Sequence, residues 1–145
     1  MLRSKVIAGA AICCATSVMA ASSFTLKPGN WKFTRTIIPH IYAGKPLSGP
    51  PHTDSSTSCD RDGQGLLDPR HSYCRFTVKD FSGGRVNAVE ECRKGPATTT
   101  YTYRGRVAKD SFDINELMTG IDDKGVVQFR IETRISARWV GVCRR

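Results

Sequence analysis

Helical periodicity, acidic charge and paired metal-ligand motifs are all scarce in this sequence of 145 residues. Beyond residue 20 nothing supports a helix longer than about two turns. No glycine period or heptad is present either, which excludes collagen-like and coiled-coil architectures. There is no Cys-x-x-Cys or Cys-x-x-x-x-Cys pair, and His40, His52 and His71 have no ligand-like spacing with the cysteines, so a zinc site is not expected. Asp and Glu number 13 against 22 Lys and Arg, a formal net charge of +9. Hydrophobic residues are 39% and charged residues 24% of the chain. Apolar residues spread along the whole length at those proportions describe one globular domain rather than a disordered chain or two domains.

The N-terminus has the order of an export signal. Arg3 and Lys5 are followed by an uncharged run from Val6 to Val18 and by Val18-Met19-Ala20, so cleavage is expected after Ala20. A membrane anchor is the competing reading, but the run from Val6 to Phe24 contains several Ser and Thr and is only marginally long enough to span a bilayer. No transmembrane anchor is therefore expected in the mature chain. Nor do Cys13 and Cys14 follow a small residue in a way that suits a lipoprotein signal. Residues 1–20 read as a signal peptide and 21–145 as a single β-rich domain. Removing Arg3 and Lys5 leaves 20 basic residues against 13 acidic, a net of +7. Four cysteines remain, Cys59, Cys74, Cys92 and Cys143, an even number best read as two disulfides formed in an oxidising compartment. A periplasmic or secreted location is expected.

Period-two alternation dominates the mature chain. From Phe129 to Trp139, Phe129, Ile131, Thr133, Ile135, Ala137 and Trp139 alternate with Arg130, Glu132, Arg134, Ser136 and Arg138. This is a strand with one buried and one wet face. Thr98 to Val107 places Thr99, Tyr101, Tyr103 and Val107 opposite Thr100, Thr102, Arg104 and Arg106, and Phe112 to Met118 sets Phe112, Ile114 and Met118 against Asp113 and Asn115. Ala108-Lys109-Asp110 and Gly120 to Gly125 are polar turns. Upstream, Trp31 to Ile41 is a first strand expected to end near Pro39. Gly44 to Thr57 reads as an irregular surface loop feeding a short strand into Cys59, and Asp60 to Tyr73 as a second irregular piece with one helical turn around Gln64 to Leu67. Cys74 to Phe81, Ser82-Gly83-Gly84 and Arg85 to Cys92 together read as a hairpin. Six or seven strands joined by short turns predict an all-β, single antiparallel meander domain, barrel or half-barrel like, with a small sandwich as the other option.

Pro28-Gly29-Asn30-Trp31, then Cys59, then the Cys74 to Cys92 pair, and finally Ala137-Arg138-Trp139-Val140-Gly141-Val142-Cys143 resemble, in order and spacing, the bacterial domain-of-unknown-function family 3617. Lys32 stands where that family usually has Glu, and Trp139 where a second Arg or Lys is common. The resemblance implies export and a β fold but no activity, cofactor or catalytic residue. Counting outward in step from Ser82-Gly83-Gly84 brings Cys74 opposite Cys92 across the hairpin, which leaves Cys59 to join Cys143.

No catalytic residue is expected. The three histidines lie in or beside loops with no nucleophile in motif. Glu90-Glu91 point to opposite faces of a strand and Asp122-Asp123 face water at a turn, so neither pair suggests a glycosidase. Asp60-Arg61-Asp62-Gly63 resembles the start of a calcium loop, but Pro69 falls where a bidentate Glu is required, so Asp60 reads as a cap. No cofactor is expected.

The most distinctive feature is the basic wet face: Arg104 and Arg106 on one strand, Arg130, Arg134 and Arg138 on another, with Lys27, Lys32, Arg144 and Arg145 near the ends. If those strands were neighbours the arginines would form a stripe suited to an anionic envelope component or an acidic protein. The alternative is that they only keep the strand soluble. Nucleic acid is not expected as a partner, since no recognition motif is present. The reading is a non-enzymatic binding or structural module of the bacterial envelope. An inhibitor of a secreted enzyme, inserting Gly44 to Thr57, is the alternative, and a hydrolase comes third. A closed interior filled by Trp31, Phe33, Phe76, Tyr101 and Phe129 would speak against an internal ligand site; an open mouth lined by them would support one.

Overall fold

The computed structural model describes residues 25–63 and 70–143. The expected signal peptide with its cleavage point, the helical turn at 64–67, and Arg144 and Arg145 lie outside them. The described chain is all-β, with strands β1 (Gly29–Tyr42), β2 (Lys45–Pro46), β3 (His52–Asp60), β4 (Cys74–Asp80), β5 (Arg85–Lys94), β6 (Ala97–Ala108), β7 (Ser111–Ile121) and β8 (Val127–Gly141). All belong to one antiparallel sheet in the order β2-β1-β8-β7-β6-β5-β4, with β3 on the same edge of β1 as β2. The sheet is not closed. It is the half-barrel form of the expected meander, with eight strands where six or seven were expected.

The alternations set its two faces. Across the sheet Phe33, Ala137, Phe112 and Val107 stand side by side on the inner face, and Arg35, Ile135, Ile114, Gly105 and Val86 form the next row. Leu26, Trp31, Val86, Val107, Phe112, Ile114 and Ala137 make one buried cluster. Trp31 is 1% exposed, with its ring 5.7 Å from that of Phe112, and aromatic area of this kind dominates the energetics of such a core. Two glycines fit close approaches on this face. A Cβ on Gly120 would overlap the Phe129 ring, and one on Gly105 would overlap the β7 backbone at Asp113.

Two expectations about the first half of the chain are corrected. The strand expected to end near Pro39 continues to Tyr42, with a register shift between Pro39 and Ile41. Proline is tolerated there because β3 pairs β1 only as far as Ile37, β2 resumes at Ile41, and the pairing with β8 shifts register just after Pro39, so the ladder is interrupted at this position. The stretch Gly44 to Thr57 is not an irregular loop. Most of it is β2 and the nine-residue β3, leaving only 47–51 between them. β3 is exposed along both faces up to Cys59, so its Ser, Thr and Asp residues carry no alternation to read. Its pairing with β1 from Gly29 to Ile37 makes it a strand. The same fact removes the long insertion loop of the inhibitor reading.

Both disulfides are present, Cys59–Cys143 across 84 residues with Cα atoms 5.6 Å apart, and Cys74–Cys92 across 18. Cys74 pairs with Cys92 as the hairpin count requires. The turn itself is one step longer than expected, since Asp80 pairs with Asn87, and a bulge at Thr77 restores the register. Among the described residues no helix is long and apolar enough to cross a membrane.

Candidate functional site

Inner-face periodicity on β5 runs Val86, Ala88, Glu90, Cys92, and on β7 Phe112, Ile114, Glu116. Each strand thus carries one carboxylate into an apolar stripe. Between them β6 contributes Tyr101, paired with Glu90, and Tyr103, paired with Glu116. Glu90 is completely buried and Glu116 is 6% exposed. Charges so placed need partners, because desolvation costs several kcal/mol per ion.

The partner is Arg70, just before β4. Its backbone N–H donates to Glu90 Oε1 at 2.7 Å, its Nε donates to the Tyr103 hydroxyl at 3.0 Å, and its Nη2 donates to Glu116 Oε2 in a close ion pair. Tyr103 in turn donates to Glu90 Oε2 at 2.9 Å. The guanidinium lies 4.7 Å from the Tyr101 ring centroid. Burial pushes the Glu116 carboxyl up despite the opposing charge of Arg70 and, more weakly, of Arg35. Burial also raises the Tyr103 hydroxyl far above the usual phenol range, so it keeps its proton. Arg70 is held above its ordinary value because its hydrogen bond to Tyr103 and the charge of Glu116 outweigh burial.

This cluster borders a cavity of about 540 Å³ on the inner face, walled by Phe33, Ile37, Phe76, Phe81, Val86, Ile114 and Ile135 and edged by Arg35, Thr133 and Arg70. Residues of β1, β4 to β8 and the turn at Phe81 all reach it, which is how the sheet's curl is felt by its side chains. Of the five aromatics named for an open mouth, Phe33 and Phe76 line it. Trp31 is sealed in the core, Tyr101 lies under Arg70, and Phe129 covers Gly120.

Arg104, Arg106, Arg130, Arg134 and Arg138 all lie exposed on the opposite, outer face. Their strands are not neighbours, however. β7 runs between β6 and β8, setting Asn115 between Arg104 and Arg134 and Asp113 between Arg106 and Ser136. Two strand spacings put Arg104 and Arg134 about 10 Å apart, and Arg134 Nε bonds Glu132 Oε1 at 3.0 Å. The side chain of His40 reaches Glu132 on this face, and His71 stacks on Tyr73. Asp60 Oδ1 accepts the N–H groups of Asp62 and Gly63, so it caps a chain reversal there. Glu90 lies within metal-ligand reach of Cys74 and Cys92, but those sulfurs are bonded to each other and offer no thiolate.

Of the residues that carried the family resemblance, those of 28–31, Cys59 and 137–143 meet at one corner and tie β1 to the end of β8, while Cys74–Cys92 lies across the sheet beside Glu90. Gly29 has φ +143° and faces Gly141 O and the Trp139 indole so closely that a Cβ would overlap both. Asn30 donates to Val142 O at 2.8 Å, Trp139 donates to Pro28 O at 3.0 Å, and Lys27 sits 3.4 Å over the Trp139 ring. Cys143 is bonded to Cys59 beside them. The motif is a structural clasp, away from the Arg70 cluster.

A family model described as "Protein of unknown function (DUF3617)" matches residues 26–143. No curated protein and no solved structure matches the chain.

Proposed function

The chain belongs to this DUF3617 family, and from that premise we propose that it is a non-enzymatic binding module of the bacterial envelope, working in the periplasm or outside the cell and holding a small molecule on its inner face. The observation that carries the reading is the cavity of about 540 Å³, apolar on its walls with a few fixed polar groups at one side. That is the makeup of small-molecule sites, in size as well as in lining. Two disulfides support an oxidising compartment. A non-enzymatic role is supported by the state of the cluster: both Glu90 oxygens and one of Glu116 accept bonds from Arg70 or Tyr103, and Tyr103 holds its proton. A general acid or base needs a free proton path and a matched pKa.

The outer arginines support a second reading, contact with an anionic envelope component or an acidic protein, because all five are exposed on one face. The first reading is tested with the neutral fluorophore N-phenyl-1-naphthylamine. Its emission should rise on binding the wild type, fall back with Thr133→Trp, which fills the cavity, and persist with Arg134→Trp on the outer face. Circular dichroism checks that each variant is folded. Equal emission from the two tryptophan variants, or no rise with the wild type, overturns the reading.

A further inference from the structure

The charges around the cavity are not equally available to a molecule that enters it. Glu90 is sealed at 0% side-chain exposure and Glu116 at 8%, whereas the Arg70 side chain, which holds both, is 41% exposed. Arg35 is the second cation. It lies on the inner face of β1 between Phe33 and Ile37, lines the same cavity, is exposed, and has no ion pair among the described residues. Its charge acts on Glu116 from a distance. Glu116 reaches the cavity wall but is committed to Arg70, so the exposed charges at the opening are the positive ones.

From this arrangement we infer that the cavity takes an amphipathic monoanion, a single apolar chain against Phe33, Phe81 and Ile135 with its anionic head at Arg35. The inference rests on the cavity being the binding site. An anionic head meets an unpaired guanidinium able to donate two parallel hydrogen bonds to a carboxylate or phosphate. A cationic head would meet Arg35 and Arg70, and the one carboxylate on the cavity wall, Glu116, is 8% exposed and already bonded to Arg70. A neutral head gains only the apolar wall, worth roughly 25 cal/mol per Å² buried. Glu116 and Glu90 keep a second role, holding Arg70 in place so that the site's polar side is fixed before a ligand arrives.

Decanoate, 1-decanol and decyltrimethylammonium share a tail and differ in head charge. Titrated calorimetrically below their micelle-forming concentrations, decanoate should bind about tenfold tighter than decanol, and the cation weakest. Arg35→Gln, an exposed substitution, should remove the advantage of decanoate and leave decanol unchanged, while Arg134→Gln should alter neither. Raising salt should weaken decanoate alone, since screening acts over about 8 Å at physiological ionic strength. If decanol or the cation binds as tightly as decanoate, or if Arg35→Gln leaves the preference intact, the anionic head is wrong while the cavity reading stands. If none of the three binds and the neutral fluorophore is not taken up, both fall.

Discussion

Arginine occurs on both faces of this sheet under opposite conditions. On the inner face Arg70 is bound at its backbone N–H, its Nε and its Nη2 by Glu90, Tyr103 and Glu116. On the outer face Arg134 has one carboxylate neighbour, Glu132, and is 67% exposed. The carboxylates differ to match. Burial pushes Glu116 up, whereas the hydrogen bond from Arg134 holds Glu132 below its ordinary value. Residue type alone is a poor guide to energetic weight. A charge withdrawn from water is held by a fixed geometry, while a charge left in water is worth little to the fold and remains open to an external partner.

The comparison breaks most readily at Arg70. Arg70→Leu strands the buried Glu116 carboxylate and takes the guanidinium charge from beside Glu90, whose bonds from the residue 70 backbone N–H and from Tyr103 remain, and we expect a loss of about 2–3 kcal/mol in urea unfolding, below the usual range for a buried pair because the guanidinium is partly solvated. Arg134→Leu, measured alongside, should stay within about 0.5 kcal/mol of wild type. Equal losses would abolish the distinction between the faces.

The pH dependence sharpens it, because the two carboxylates should act with opposite sign. Glu116 is raised in the fold, so it binds a proton more tightly folded than unfolded. Its contribution is full below the ordinary value of 4.5 and is lost as pH rises through the raised value. Glu132 is lowered, so its contribution is present above 4.5 and is lost as pH falls through the lowered value. Arg35, Arg70 and Glu90 face Glu116, while Arg134 and His40 face Glu132. Unfolding midpoints measured from pH 3 to 7 should show Glu116→Gln removing a decline with rising pH. Glu132→Gln should remove a smaller loss on the acid side. Profiles that change in the same direction would contradict the assignment.

The smallest effect concerns binding by the outer face. Reversing Arg106 and Arg134 together should weaken association with anionic vesicles more than reversing Arg61 and Lys124, which lie in turns off the sheet, although net charge changes equally. Stability should be unaffected and the effect should vanish at high salt. Equal weakening would leave only net charge at work.

The strands of the second half are legible because each has one wet and one dry face, and period two survives in the letters of β6, β7 and β8. The hairpin count places Cys74 opposite Cys92 even though it misses the bulge at Thr77, since the longer turn and the extra residue offset each other. β3 is not legible, because a strand wet on both sides has no pattern and exists through its partner. Half of the inner cluster carried a signal. Glu116 interrupts Phe112, Ile114 and Met118, and Glu90 interrupts Ala88 and Cys92, so each is a carboxylate at a position where alternation demands an apolar residue. Reading Glu90 with its sequence neighbour Glu91 hid that, because the two belong to opposite faces. Arg70 carried none, since it comes from a connection without periodicity and only the fold brings it to the carboxylates.

The place of β1, flanked by β3 on one side and β8 on the other, also sets an order in time. β4 to β8 follow one another through short turns, so each can add to the last as soon as it is made, and β1 and β3 are near in sequence as well. The pairing of Asn30 with Gly141 is different, because it joins segments separated by nearly the whole domain, and contacts of that span are made late. Until they form, the hairpin and the meander each present an uncovered apolar side, the hazard of slow β topologies. Without β1 docked on β8 the cavity lacks one wall, since Phe33, Arg35 and Ile37 come from β1. In the fold Cys59 and Cys143 are brought together by β1, whose Asn30 pairs with Cys59 on one side and Gly141 on the other, so their bond locks the joint that this longest-range pairing makes.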